Sequence, residues 1–243
     1  MRNVISASIG VGLAMGLSVG MAQTVAPTQP LNDTGVRKCV NVATNTFSQT
    51  CSGPNIPPGQ DGFYGRDQSY PDTVDGVLGF SFTKICNSGE PAGTGSCPVA
   101  PLLKLGPGAN EWGCTQDNVT GLIWEIKTSG GLRGKDNSYT NLGNGLATDA
   151  SGFVKAVNSR TLCGANDWRL PTVTELFNIV NSSTGEVADV KWFPNSQQDW
   201  YWTSDGDAND ASYAWGVQST GGGYVAFDKR IQGHFVRLVR AGQ

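Results

Sequence analysis

One run, Cys163-Gly-Ala-Asn-Asp-Trp168-Arg169-Leu-Pro171-Thr172-Val-Thr-Glu175, brings a thiol, a guanidinium and a carboxylate close together along the chain. Groups of these types serve as nucleophile, anion partner and general acid or base. Local patterning gives each a structural task instead. Thr172-Val-Thr-Glu175 is a T-x-x-E capping box, in which Thr172 accepts from the Glu175 amide and Glu175 accepts from the Thr172 amide. Leu176, Ile179 and Val180 then supply a buried helical face. Trp168 reads as core, and Arg169 as a partly buried fork bonded to carbonyls or a carboxylate. His234 is the single histidine, and nothing near it resembles a nucleophile elbow. No glycine-rich phosphate loop stands at a strand-to-helix junction. No catalytic residue is assigned, and no enzymatic activity is expected.

Binding chemistry concentrates further along. Trp200, Tyr201 and Trp202 precede an oxygen-rich loop of Asp205, Asp207, Asn209 and Asp210. On a strand the two tryptophans share a face, and an exposed indole can lie on the C–H face of a sugar ring. Trp202, at the strand centre, reads as core, whereas Trp200 stays open between core and contact surface. The loop begins like a calcium site, D-x-D-x-N, but Asp210 stands where such a loop needs glycine and Gly216 where it needs glutamate. Turn chemistry alone accounts for the run. Calcium is the one cofactor left open, and no metal ligand is assigned. Lys229, Arg230, Arg237 and Arg240 form the one basic concentration. Lys229 and Arg230 are surface candidates for a sulfated polysaccharide, since guanidinium forks suit oxyanions. Arg237 and Arg240 lie among Phe235, Val236, Leu238 and Val239 and read as internal.

Those residues must be positioned by small elements. The 243 residues carry 33 glycines, 38% hydrophobic and 15% charged residues, and a net charge of -3. This is a loop-rich globular composition, and its charge argues against a nucleic-acid partner. Short aromatic and β-branched runs between turn residues predict strands: GVLGFSFTKI, TGLIWEIKT, DWYWTS, YAWGVQ, GYVAFDK and HFVRLVR. Two helices are predicted, one over about 150–162 with Asp149 as N-cap and one opening at the capping box.

Residues 1–22 read as a secretory signal: Arg2, an apolar small-residue run, then Gly20 and Ala22 before the cleavage point. The same run carries Gly12, Gly16 and Gly20 at the spacing of a helix-dimerising span, but its short glycine-rich core favours cleavage. Residues 23–58 read as an extended arm with a disulfide loop, and 59–243 as the compact domain. All six cysteines follow the signal, which argues for disulfides. Loop closure favours Cys39–Cys51 and Cys86–Cys97 and leaves Cys114–Cys163 as the long bridge.

The runs WGCTQDNVTGLIWEIKT, CGANDWRLPTVTELFNIV, YWTS and VRLVR, in this order, resemble the C-terminal domain of the Legionella collagen-like adhesin. The resemblance covers about residues 60–241. It implies an α+β, C-type-lectin-like fold with two small antiparallel sheets, two helices and long loops. It also implies adhesion to sulfated polysaccharide and a homo-oligomer, although this sequence has no Gly-X-Y stalk to drive trimers. RLPT-x-x-E is similar to formylglycine-generating enzymes as well, but their reactive cysteines lie in the C-terminal part of the domain, and the last cysteine here is Cys163. The expectation is a secreted or cell-surface binding module, with the periplasm left open. The alternatives are a structural subunit of a surface assembly, docking through the arm, and an exported enzyme on the same fold.

Overall fold

The computed structural model describes residues 31–69, 72–183, 186–187, 189–220 and 223–242. The expected signal lies outside these residues. In chain order the elements are β1 (Cys39–Asn41), β2 (Thr46–Ser48), α1 (Asp61–Tyr64), α2 (Arg66–Ser69), β3 (Phe82–Cys86), β4 (Trp112–Asp117), β5 (Leu122–Glu125), α3 (Ala150–Asn158), α4 (Val173–Phe177), β6 (Val180–Asn181), β7 (Glu186–Val187), β8 (Trp200–Gly206), β9 (Tyr213–Gln218), β10 (Tyr224–Lys229) and β11 (Val239–Ala241). The fold is α+β, with short helices and small antiparallel sheets. A four-stranded sheet runs β11-β5-β4-β3 and a three-stranded sheet β10-β9-β8, with two-stranded ribbons β1-β2 and β6-β7.

Strand alternation divides the core in two. Leu122 and Trp124 point into one cluster with Phe82, Trp192 and Phe193, while Ile123 points into another with Phe153, Val157 and Trp168. The four-stranded sheet is therefore covered on both faces, and Leu122–Glu125 is buried at every position. The three-stranded sheet bridges both clusters, sending Tyr201 and Val217 to the first and Trp202 and Ala214 to the second. Each fully buried Phe, Leu or Val contributes roughly 1.5–3 kcal/mol. The β4–β5 turn is fixed by Asp117, which accepts from the Val119 amide at 2.9 Å and the Thr120 hydroxyl at 2.7 Å. Gly121 closes that turn at φ +74.

Three disulfides form: Cys39–Cys51, Cys86–Cys97 and Cys114–Cys163. Asp149 caps α3 by accepting from the Ser151 amide. The helix ends at Asn158, short of the predicted Leu162. There the Asn158 side chain pairs with both the amide and the carbonyl of Trp168, and the chain turns through left-handed Thr161 and Cys163. The predicted terminal strand is likewise shorter. Residues 234–238 are extended but only bridge to neighbours, as Phe235 does to Tyr201, and the strand itself begins at Val239.

The described part of the predicted arm is not free. Asn32 and Asp33 are buried. Asn32 donates to Asp117 at 2.8 Å, Asp33 accepts from the Asp67 amide at 2.9 Å, and Ser182 donates to the Thr34 carbonyl. The segment is docked because its polar groups satisfy turns of the body. Only 39–51 forms the expected disulfide loop, as the β1–β2 hairpin.

Candidate functional site

The register of the three-stranded sheet builds a groove. Trp200 opposes Gln218 and Trp202 opposes Gly216, while Gly216 opposes Ala226 on the next strand and Ala214 opposes Asp228. Trp200, Gly216, Ala226 and Asp228 thus share one face. A Cβ on Gly216 would come within 3.3 Å of the Trp200 ring, so the absent side chain lets the indole lie across the sheet. Together with Trp202, Phe227 and His234 these residues line a cavity of about 160 Å³.

His234 forms one wall. Its ring centroid lies 4.4 Å from that of Trp202 and 6.3 Å from that of Trp200, tilted against both, and its Nε2 lies 3.0 Å from Asp228 Oδ2. Its backbone exchanges hydrogen bonds with Tyr139, whose carbonyl also accepts from the Trp202 indole at 2.8 Å. The groove therefore has a rigid apolar floor, one half-buried indole, and a carboxylate and imidazole at its edge. That combination fits a ring with one apolar face and hydroxyls around it.

The expected contact residues separate here. Tyr201 is corrected: it is 2% exposed, it sits in the core, and its hydroxyl accepts from the Gln197 amide, so it offers no face to a ligand. Arg230 is half-buried. Its guanidinium donates to the Ala211 and Asn141 carbonyls, tying the acidic loop to the body. Asp205 accepts from the Val173 amide at 2.7 Å, which anchors the start of α4. Asp207 and Asp210 each accept from the amide two residues on, and Asn209 is exposed. Hydrogen bonds from Ser212 hold the Asp210 carboxyl below its usual range. These bonds are the loop's own turn chemistry. Among the described residues no three His, Cys, Asp or Glu side chains gather as a metal site. Lys229 is exposed.

The residues read as structural lie elsewhere. Trp168 is 2% exposed and its indole donates to the Leu162 carbonyl. Arg169 forks onto Glu175 at 2.8 and 2.6 Å, and both halves of the Thr172–Glu175 capping box are made. Arg237 is fully buried, donating to the Glu125 carbonyl and the Ser196 hydroxyl. Two groove residues were missed as contacts. Asp228 entered only through its neighbours, and His234 was weighed only as a lone histidine without a nucleophile beside it. The strand period could place Asp228 on one face of β10, but not beside Trp200, because pairing across β9 is invisible in a single strand.

A family model described as the Lcl C-terminal domain matches residues 113–240. The chain belongs to this family. The match spans over half the chain and takes in the groove, all of α3 and α4, and the Arg169, Glu175 and Arg237 contacts. It is narrower than the resemblance read from the motifs, leaving the docked N-terminal segment and β3 outside. Comparison with curated proteins gives no match. Family membership and three disulfides indicate an adhesin-related module of an oxidising, extracellular or surface setting.

Proposed function

We propose that this protein is an exported binding module that holds a carbohydrate ring of an extracellular polysaccharide in the Trp200 groove and performs no reaction on it. The observation that carries the reading is the half-buried indole of Trp200 set against Gly216 beside the Asp228–His234 pair. The ring's apolar face stacks on Trp200, and its hydroxyls meet the carboxylate and imidazole. A sulfate, where the polymer has one, meets Lys229, since Arg230 is committed to carbonyls. Affinity therefore comes mainly from the groove and responds weakly to salt. Calcium makes no difference to it. A glycan array probed with the full chain, with calcium and with chelator, tests this. Binding that vanishes with chelator would contradict it.

A second reading is favoured by one observation. β10 is an edge strand that leaves Tyr224, Val225 and Phe227 exposed, and such edges pair with other chains. If no glycan is bound, the reading becomes a subunit of a surface assembly that contacts its partner through β10 rather than through the N-terminal segment.

A further inference from the structure

A second cavity lies away from the Trp200 groove. It is an open cleft of about 530 Å³ between the 128–133 loop, the end of α3 and Asn195. Its walls are apolar on one side, with Leu105, Leu132, Val157 and Leu162. Two guanidiniums line it, Arg133 and Arg160, and no carboxylate does. Arg133 is pinned in place, donating to the Gly113 and Ile126 carbonyls at 2.8 and 3.0 Å, and it has no ion-pair partner among the described residues. Arg160 is exposed and forms no ion pair there either. A concave site lined by two cations and no carboxylate suits an anion, although the Glu125 carboxylate also acts on Arg133.

The backbone supplies an independent observation. Among the described residues five non-glycines have positive φ. Two of them, Thr161 at +48 and Asn195 at +59, line this one cleft, and a third, Cys163, follows two residues after Thr161. A left-handed β-branched residue is an outlier that glycine would relieve. Thr161 follows the last turn of α3, where glycine is the usual occupant. Its side chain is retained at a cost to the fold, and it stands at the mouth of the cleft.

We infer that this cleft is a second binding site, for a ring-shaped ligand bearing a carboxylate. The carboxylate is held by Arg133 and Arg160, the ring lies on the apolar wall, and Thr161 and Asn195 provide polar contacts. A sugar acid and an aromatic acid share this chemistry. The site is independent of the carbohydrate reading of the Trp200 groove.

The test is amide chemical-shift mapping on the full, disulfide-bonded chain, titrated with D-glucuronate, benzoate and neutral D-glucose. The expected result is saturable shifts at residues 129–133 and 160–162 with at least one of the acids and none with glucose. Which acid responds identifies the source of the ring. Arg160→Ala should weaken that binding at least about tenfold, the usual size of a lost charge-assisted bond. Thr161→Gly should raise the melting temperature and yet lower affinity, which a purely structural threonine would not do. Gly130→Tyr, at a position whose Cβ meets open space, should block the cleft without unfolding the chain. Trp200→Ala should leave all of these shifts in place. Absence of saturable shifts with both acids, equal binding of glucose, or binding unaffected by Arg160→Ala would overturn the inference.

Discussion

At Glu175 burial and hydrogen bonding pull in opposite directions. Burial pushes its carboxyl up, but the Arg169 fork and the Thr172 amide outweigh this and hold it below its ordinary 4.5. A carboxylate depressed on folding contributes stability above its unfolded pKa, and that contribution is lost as pH falls through the folded value. Glu175→Ala should therefore cost about 1 kcal/mol at neutral pH. In urea denaturation the gap to wild type should shrink as pH drops below about 4.5. The slope has the same sign at Lys127, at higher pH and from the opposite cause, since here it is the buried charge that is disfavoured. Burial drives its ammonium from 10.5 down to about 8, against the pull of Glu125 at 3.0 Å and with Arg237 adding to the fall. Between those two values the unfolded chain binds the extra proton, so this residue makes stability rise with pH. Denaturation of Lys127→Met across the same window should show a flatter slope than wild type. Arg237→Ala should cost about 2–5 kcal/mol in the same assay, because it empties a buried site and leaves the Glu125 carbonyl and Ser196 hydroxyl without their donor.

At the scale of elements, the capping box shows why part of the fold can be read directly. Thr172 and Glu175 are three residues apart and act locally, so their types alone determine the start of α4. Asp149 as the cap of α3 is legible for the same reason. The end of α3 is not legible to the residue, because it is set by Asn158 reaching Trp168 and by left-handed Thr161 and Cys163, which precede the one glycine that marks the turn, Gly164. Tyr201 was misassigned by the same limit: alternation separates it from Trp200 and Trp202, but which face meets a core depends on the packed sheets. The Cys114–Cys163 bridge ties β4 to this junction, closing a separation of 49 residues. On the chain-entropy model it contributes about 4 kcal/mol. A Cys114→Ala/Cys163→Ala variant should lose about that much in denaturation. It should also lose more protection from hydrogen exchange around 159–168 than in the β8–β9 pair.

For the molecule as a whole, the described segment 31–38 is part of the body rather than a tether. Asn32 closes over the buried Asp117 carboxylate, so removing residues 31–38 should lower the melting temperature by several degrees and not merely shorten the chain. The family match shows an adhesin-related module. The ligand rests on the groove, whose parts come from β8, β9, β10 and the extended 234–238 segment and meet only after folding. The most direct test is a binding isotherm on the polysaccharide found by array, comparing wild type with Trp200→Ala and checking that both melt alike. The account predicts that Trp200→Ala loses at least about tenfold in affinity at low and high salt alike, while Lys229→Ala changes only the salt-dependent part. Wild-type affinity in Trp200→Ala, with an intact fold, would contradict it.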